Sequence, residues 1–322
     1  MMRMTVLASG SKGNSTVVAS SRTRVLVDAG LSCRELMRRM AIAGEDPSAL
    51  DAILITHEHL DHVAGLAVLA RKLRIPVFFT EQTHRAWVRM LTPKTTMTYA
   101  KWLDHLQKEK EAKAARAAVQ ESGRSAEDLC EIPALSLEDV QVEEEAPAAV
   151  KADPASLPAV EYFRAGSNFS IGDIDITPFT IPHDAADPCG FVFAAEGIRM
   201  AIATDLGYMP PNVKQAIAGS DVLLLESNHD LEMLRDGPYP WSVKQRVLSR
   251  VGHLSNHATA EFLARDYDGG AAYIVLGHLS ESNNAPELAR ISAEQAIGDR
   301  MRLLGNRILL AEQAQPLESI QL

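Results

Sequence analysis

The stretch Thr56–His62 reads T-H-E-H-L-D-H and packs three histidines and two carboxylates into seven residues. Imidazole and carboxylate together suit zinc, manganese or iron. Further along the chain stand His183 after Pro182, Asp205 after Thr204 and His278 after Gly277. A buried histidine taken singly is more often a hydrogen-bonded core residue than a ligand. The joint pattern changes that reading: H-x-H-x-D-H, then His, then Asp, then His supplies enough ligands for two divalent metal ions.

These residues need elements that aim them. Ala52-Ile53-Leu54-Ile55 precedes the cluster as a short apolar run and predicts a buried strand, while Val63–Leu73 follows it with apolar residues at helical spacing. The cluster therefore sits on a loop that leaves a strand and opens a helix, where a rigid strand end aims side chains whose tips stay accessible. The later residues occupy the same kind of place, after predicted strands Ile174–Ile181, Arg199–Ala203 and Ala272–Leu276. Strands are also predicted at Met4–Ala8, Thr16–Ser20 and Arg24–Asp28, with Ser32 set to cap a helix Cys33–Met40. Arg34, Arg38 and Arg39 on that helix read as a solvated face, with phosphate contact the competing reading. Pro76–Thr80 and Glu81–Met90 continue as strand and helix, and the alternation indicates an α/β protein. The small residues of Ser9–Ser15 suit a backbone nest for an anion, with Ser11 and Asn14 as candidate phosphate contacts. A plain hairpin turn is the competing reading of that loop.

A chain of 322 residues with 46% hydrophobic residues can bury a large core. No apolar run approaches the ~18 residues of a membrane span. The N-terminus reads as a strand without a secretory h-region, so secretion is not expected. Three scattered cysteines without C-x-x-C spacing suit reduced thiols in the cytoplasm. The net charge of −10 argues against a polyanionic partner, but residues 104–153 carry −7 of it and leave about −3 for the remainder. Bound divalent metal would shift that remainder further, so a phosphate-bearing substrate is not excluded. Residues 104–122 predict a polar helix. Residues 126–158 are acidic, rich in Ala and Pro, and lack a sustained apolar period. About 104–158 is therefore expected to be a charged, partly disordered insertion in a single domain.

The ordered ligand series resembles that of the metallo-β-lactamase superfamily over nearly the whole chain outside the insertion. The resemblance implies an α/β fold, the four-layer αββα sandwich, with a dinuclear site at one sheet edge. It places His57, His59 and His183 on one metal, Asp61, His62 and His278 on the second, and Asp205 between them. β-Lactamases have a cysteine in the role of Asp205, so the aspartate points to the hydrolase and nuclease branches. Ser9-Gly10-Ser11 with Gly13-Asn14-Ser15, His183-Asp184-Ala185, Thr204-Asp205-Leu206-Gly207, Glu226-Ser227-Asn228-His229-Asp230, Gly252-His253-Leu254-Ser255-Asn256 and His278-Leu279-Ser280 with Asn283-Asn284 resemble the WalJ (YycJ, VicX) group. That resemblance implies a DNA exonuclease acting 5′ to 3′ on duplex ends, with the acidic insertion a departure that bears on substrate access.

By the same resemblance Glu226 and His253 are similar to the pair that protonates the leaving group in tRNA 3′-processing enzymes, with His257 a rival for the histidine. Asp61 could also orient the attacking water, and His229 could lie just outside the ligands. Ser280, Asn283 and Asn284 are candidate hydrogen-bond donors to phosphate. Lys244, Arg246 and Arg250 are either phosphate contacts or a solvated face. The implied cofactors are two divalent ions, manganese or zinc with iron as a third option. The implied partner is nucleic acid, DNA before RNA, with no membrane and no obligate protein partner. Two other readings compete: a small-molecule metallohydrolase of a thioester or cyclic phosphodiester, and a catalytically silent scaffold, against which the complete ligand set counts.

Overall fold

Short, almost wholly buried strands open the chain: β1 (Arg3–Ala8), β2 (Ser15–Ala19) and β3 (Arg24–Val27), paired antiparallel in sequence order. The computed structural model describes residues 1–92, 153–301 and 305–322. After β3 the pairing turns parallel, through β4 (Ala52–Leu54), β5 (Val77–Thr80) and β6 (Val160–Phe163). Parallel neighbours need crossovers, and helices supply them. Helix α1 (Cys33–Ile42) begins where the Ser32 hydroxyl accepts the Glu35 N–H at 3.3 Å. Helices α2 (Leu60–Val63) and α3 (Leu66–Leu73) follow β4, and α4 (Glu81–Leu91) follows β5.

The second sheet begins with the hairpin β7 (Phe169–Ile171) and β8 (Ile174–Thr180), followed by β9 (Cys189–Ala195) and β10 (Ile198–Ala203), all antiparallel. Helix α5 (Pro211–Ile217) then leads to β11 (Val222–Glu226), parallel to β10. Helices α6 (Leu231–Asp236), α7 (Trp241–Val247) and α8 (Asn256–Arg265) precede β12 (Tyr273–Gly277). Helix α9 (Pro286–Ile297) precedes β13 (Arg307–Leu310), and β14 (Ile320–Gln321) returns to the first sheet beside β1. Each sheet has seven strands, in the orders β14-β1-β2-β3-β4-β5-β6 and β13-β12-β11-β10-β9-β8-β7.

Side-chain alternation along the strands sets the layers. Met4, Val6, Val25 and Leu54 pack into one core with Phe191, Phe193, Ile202 and Leu224 from the other sheet. Val192, Ala201, Leu223 and Ile274 point the other way, into a second core with Phe262 and Leu263 of α8 and Ala289 and Ala293 of α9. On the first sheet Leu26 and Ile53 are buried, as are Leu36 of α1 and Leu69 of α3. The result is the four-layer αββα sandwich. The described residues belong almost entirely to one compact unit, Met1–Met90 with Pro154–Leu322, and a second unit is Leu91–Asp153.

Some expectations change. The single helix expected over Val63–Leu73 is broken at Ala64-Gly65. The Gly65 N–H donates to Ala29 O, and a side chain at this glycine would stand 2.0 Å from the Leu31 carbonyl oxygen. Arg39 is not on a solvated face: it is buried, and its Nη1 donates to the carbonyls of Leu7 and Gln313. Helix α6 and strand β14 were not expected from the sequence. The former starts where Asp230 accepts the N–H groups of Glu232 and Met233. The helix expected over 104–122, and the insertion up to residue 152, lie outside the described residues. Its last turn is described: Arg71 donates to the carbonyls of Pro154 and Ser156. No helix among the described residues is long and apolar enough to cross a membrane.

Candidate metal centre

Parallel strands send their carboxyl ends to one edge of a sheet, and loops leaving those ends are where α/β proteins place ligands. Here β3 leads to Asp28, β4 to His57, β8 to His183, β10 to Asp205, β11 ends in Glu226 and β12 leads to His278. Asp28, Asp205 and His278 have φ of 60°, 62° and 54°, a left-handed conformation uncommon for residues with a side chain. Such backbone strain persists where surrounding structure holds it, and it clusters at functional sites.

The predicted ligands converge. One donor atom each from His57, His59 and His183 lie within 4.8 Å of one another, and the same holds for Asp61, His62 and His278. His183 Nε2 is 3.3 Å from His59 Nδ1. His62 Nε2 is 3.6 Å from Asp61 Oδ2, and His278 Nε2 is 3.7 Å from that same oxygen. Asp205 lies between the groups, with Oδ2 3.5 Å from His62 Nε2 and Oδ1 3.8 Å from His183 Nε2. His57 Nε2, Asp205 Oδ2 and His278 Nε2 are buried and have no hydrogen-bond partner among the described residues. Buried polar atoms are ordinarily satisfied, so converging orphans of imidazole and carboxylate type fit divalent metal.

The second nitrogen of most of these rings is engaged. His62 Nδ1 donates to Asp28 at 2.8 Å, His278 Nδ1 to Glu226 at 3.0 Å, and His183 Nδ1 to the Gly252 carbonyl at 3.2 Å. His57 Nδ1 pairs with the Thr56 hydroxyl at 3.0 Å, and that hydroxyl also meets Asp28. Such bonds fix ring orientation and tautomer and leave the other nitrogen for a metal. Burial, with the charge of neighbouring histidines, holds His57 well below the usual imidazole range and therefore neutral. At His62 burial also pulls downward, but Asp28, Asp205 and Asp61 outweigh it and hold the ring up at about 9. Burial would raise Asp61, yet His62 and His278 keep its carboxyl well below the ordinary range.

Glu226 joins the ligands to a further histidine. Its Oε1 accepts from His253 Nδ1 at 2.8 Å as well as from His278, and its Oε2 accepts the Leu206 N–H. Burial would raise this carboxyl, but His253 and His278 hold it well below the usual range. The His253 ring stands 5.2 Å from that of His183 and 5.1 Å from that of His278, so it overhangs the cluster. His257 lines a separate cavity with Asp230, Glu261 and Arg265. His229 is buried with neither ring nitrogen partnered among the described residues, and burial pushes it down to about 4.

The expected phosphate contacts are placed differently. Ser11 is exposed on its loop, but the loop's Gly10, Lys12, Gly13 and Asn14 N–H groups already donate to Asn14 Oδ1, Gln313 Oε1, Gly10 O and Asp61 O. These donors are spent within the protein, so the loop is not an open nest. Asn14 turns inward, its amide 3.0 Å from His62 Nε2 and 3.3 Å from Asp61 Oδ2. Asn284 ties Ser227 O, Asn228 O and Asn256 together, and Asn283 and Ser280 bond to each other. Asn284 thereby ties the loop after β11 to the start of α8. Asp28 and Thr56 are the site residues that sequence reasoning missed. The one signal for Asp28 is an acid directly after a buried strand that neighbours the histidine-bearing one.

The sequence profile of the metallo-beta-lactamase superfamily matches residues 8–278. The exodeoxyribonuclease WalJ of Streptococcus pneumoniae is 34% identical over 290 residues, 90% of this chain and 86% of its own length. The exodeoxyribonuclease YycJ of Bacillus anthracis is 33% identical over 299 residues, 93% of this chain and 90% of its own. Among solved structures, the metallo-beta-lactamase fold protein YhfI from Bacillus subtilis matches with a TM-score of 0.59 at 13% identity, over 99% of this chain and 100% of that one, a likeness of fold. Two sheets meeting at a histidine–aspartate edge and a profile match across most of the length agree: the chain belongs to the metallo-β-lactamase superfamily, in the group of WalJ and YycJ, and is a metal-dependent hydrolase.

Proposed function

We propose that this hydrolase is a phosphodiesterase that uses two divalent ions, manganese or zinc before iron, to degrade DNA from its ends, 5′ to 3′ on duplexes. The observation that carries the reading is the 2.8 Å contact between Glu226 and His253 beside the ligand cluster. A thiolate leaves without a proton, whereas the sugar alkoxide expelled from a nucleic acid needs an acid. The names of the two relatives, both exodeoxyribonucleases, support the same substrate class. His57, His59 and His183 would hold one ion and Asp61, His62 and His278 the other, with Asp205 placed to serve both. Ions bound there would supply a nucleophile at neutral pH and offset charge building on the phosphate.

The rest is the work of this chain's own residues. Asp61, kept ionised by its histidine neighbours, orients the attacking water. His253 donates Nδ1–H to Glu226, which leaves Nε2 to hold the proton taken by the departing alkoxide. Glu226 keeps the imidazolium charge balanced and the ring in place. We read the chain as a single catalytic domain bearing the 104–158 insertion, working in the cytoplasm without an obligate protein partner.

Digestion of end-labelled single- and double-stranded DNA and RNA with manganese tests this. Linear DNA should shorten from an end while closed circles stay intact. If linear DNA and RNA both survive and a thioester is hydrolysed quickly, the small-molecule reading replaces this one.

A further inference from the structure

One helix beside the centre buries almost nothing. In α7 only Lys244 is buried, while Trp241, Ser242, Val243, Gln245 and Arg246 are exposed. Short helices in proteins are normally held by packing an apolar face. This one is held by polar ties: Lys244 Nζ donates to Arg235 O at 2.6 Å, the His253 N–H donates to Val247 O at 3.0 Å, and Arg246 Nε donates to Asp184 Oδ2 at 2.5 Å. The last tie lies at the mouth of the centre, since Asp184 Oδ1 is 3.5 Å from His183 Nε2. Arg246 is also within the field of Asp61, which belongs to the other group of ligands.

The cations of this face differ in what they have left to offer. The Lys244 ammonium is engaged as above. Arg250 stacks 4.4 Å over the Tyr208 ring, and Arg235 forks onto Asp236. Arg246 is anchored by Nε alone. Its side chain is 60% exposed, and Nη1 and Nη2 have no hydrogen-bond partner among the described residues. A guanidinium held at one nitrogen and open at two is set for the oxygens of a phosphate, which it can take bidentately where an ammonium acts as a point charge. In a chain of net charge −10, a fixed cation at the mouth also lowers the barrier to an approaching polyanion.

We propose that Arg246 binds the nucleic-acid phosphate next to the scissile one, with Asp184 holding its Nε so that the open fork faces the strand. The inference rests on the nuclease reading above. The test uses the full manganese-loaded chain and a fluorescent duplex whose ends are blocked by phosphorothioate linkages, with binding read by anisotropy from low to high salt. Each phosphate contact contributes about 0.9 to the slope of log affinity against log salt on a duplex. Arg246→Ala should therefore bind about tenfold more weakly at physiological salt and flatten the slope by about 0.9. Arg246→Lys should keep the wild-type slope, because it keeps the charge, yet still bind more weakly, because it lacks the fork. An alanine variant with the wild-type slope, or a lysine variant with wild-type affinity, overturns the inference while a wild-type enzyme that digests DNA leaves the nuclease reading standing. Wild-type protein that neither binds nor cuts any nucleic acid overturns both.

Discussion

At Asp28 a carboxylate that is not itself one of the expected ligands decides how a ligand is presented. It accepts from His62 Nδ1 and from Thr56, so removing it frees a ring the centre depends on. Asp28→Ala should lower metal affinity by about 10- to 100-fold, read by titrating metal into the apoprotein. Asp205→Ala should go further and remove at least one ion and nearly all hydrolysis, with a circular dichroism spectrum that stays native because the cores lie elsewhere. Protons and metal compete at His62. Its pKa, raised from 6.5 to about 9, means the metal-free fold binds a proton that the unfolded chain releases earlier. This contribution to apoprotein stability is complete below the unfolded value and is lost as pH rises through the folded one. Metal must displace that proton, so metal binding should tighten as pH rises across the same window, with protons released on loading. Calorimetry in buffers of different ionisation enthalpy would show a proton count independent of pH if this is wrong. His253→Ala should slow DNA cleavage by ~10²-fold or more, a typical general-acid contribution, and slow bis-p-nitrophenyl phosphate far less.

The elements explain which residues could be read in advance. Ligands that directly follow an apolar run announce themselves, because the run fixes a strand and the strand fixes the aim. Asp28 also follows such a run, but one carboxylate has no spacing to mark it, and only the parallel pairing of β3 with β4 brings it to His62. Small loop residues around Asn14 suggest an open nest and hence a contact for phosphate. Asn14's own N–H and that of Lys12 are taken by long-range acceptors, Asp61 O and Gln313 Oε1, which local sequence does not reveal. The break between α2 and α3 was hidden for the same reason, since Gly65 is small to clear a carbonyl more than thirty positions earlier. Gly30 makes a related approach to the metal loop: an added Cβ would stand 1.7 Å from the Asp61 carbonyl oxygen. Backbone cannot yield as a flexible side-chain end can. Gly30→Ala should therefore displace the Asp61 loop, giving a lower melting temperature and a metal-poor protein, measured by thermal scan and elemental analysis. Full metal content in a soluble Gly30→Ala protein would show that the loop adapts.

For the whole molecule, the acidic stretch should be separable from the sandwich. Replacing 104–158 by a short Gly/Ser linker should leave a folded, metal-loaded enzyme, because no core-forming period runs through it. It should also strengthen binding to DNA at low salt, where the loss of acidic residues is least screened. Insoluble protein after the replacement would mark the stretch as structural.

The order of the first sheet carries a consequence for a chain cut in two. Strands β1 to β5 come before the insertion and occupy the middle of that sheet, while β6 and β14 come after it and close the two edges. A break within 104–153 would therefore make two pieces that clasp each other, one gripping the other from both sides. The first would carry His57, His59, Asp61 and His62, the second His183, Asp205 and His278. Neither holds a complete ligand set. Co-expressed as separate polypeptides, they should reassemble into one particle whose assembly metal favours, because ions that bind only the joined form stabilise it by mass action. Chelator should then loosen the pair, and size-exclusion chromatography with and without it would follow the nicked protein between one peak and two.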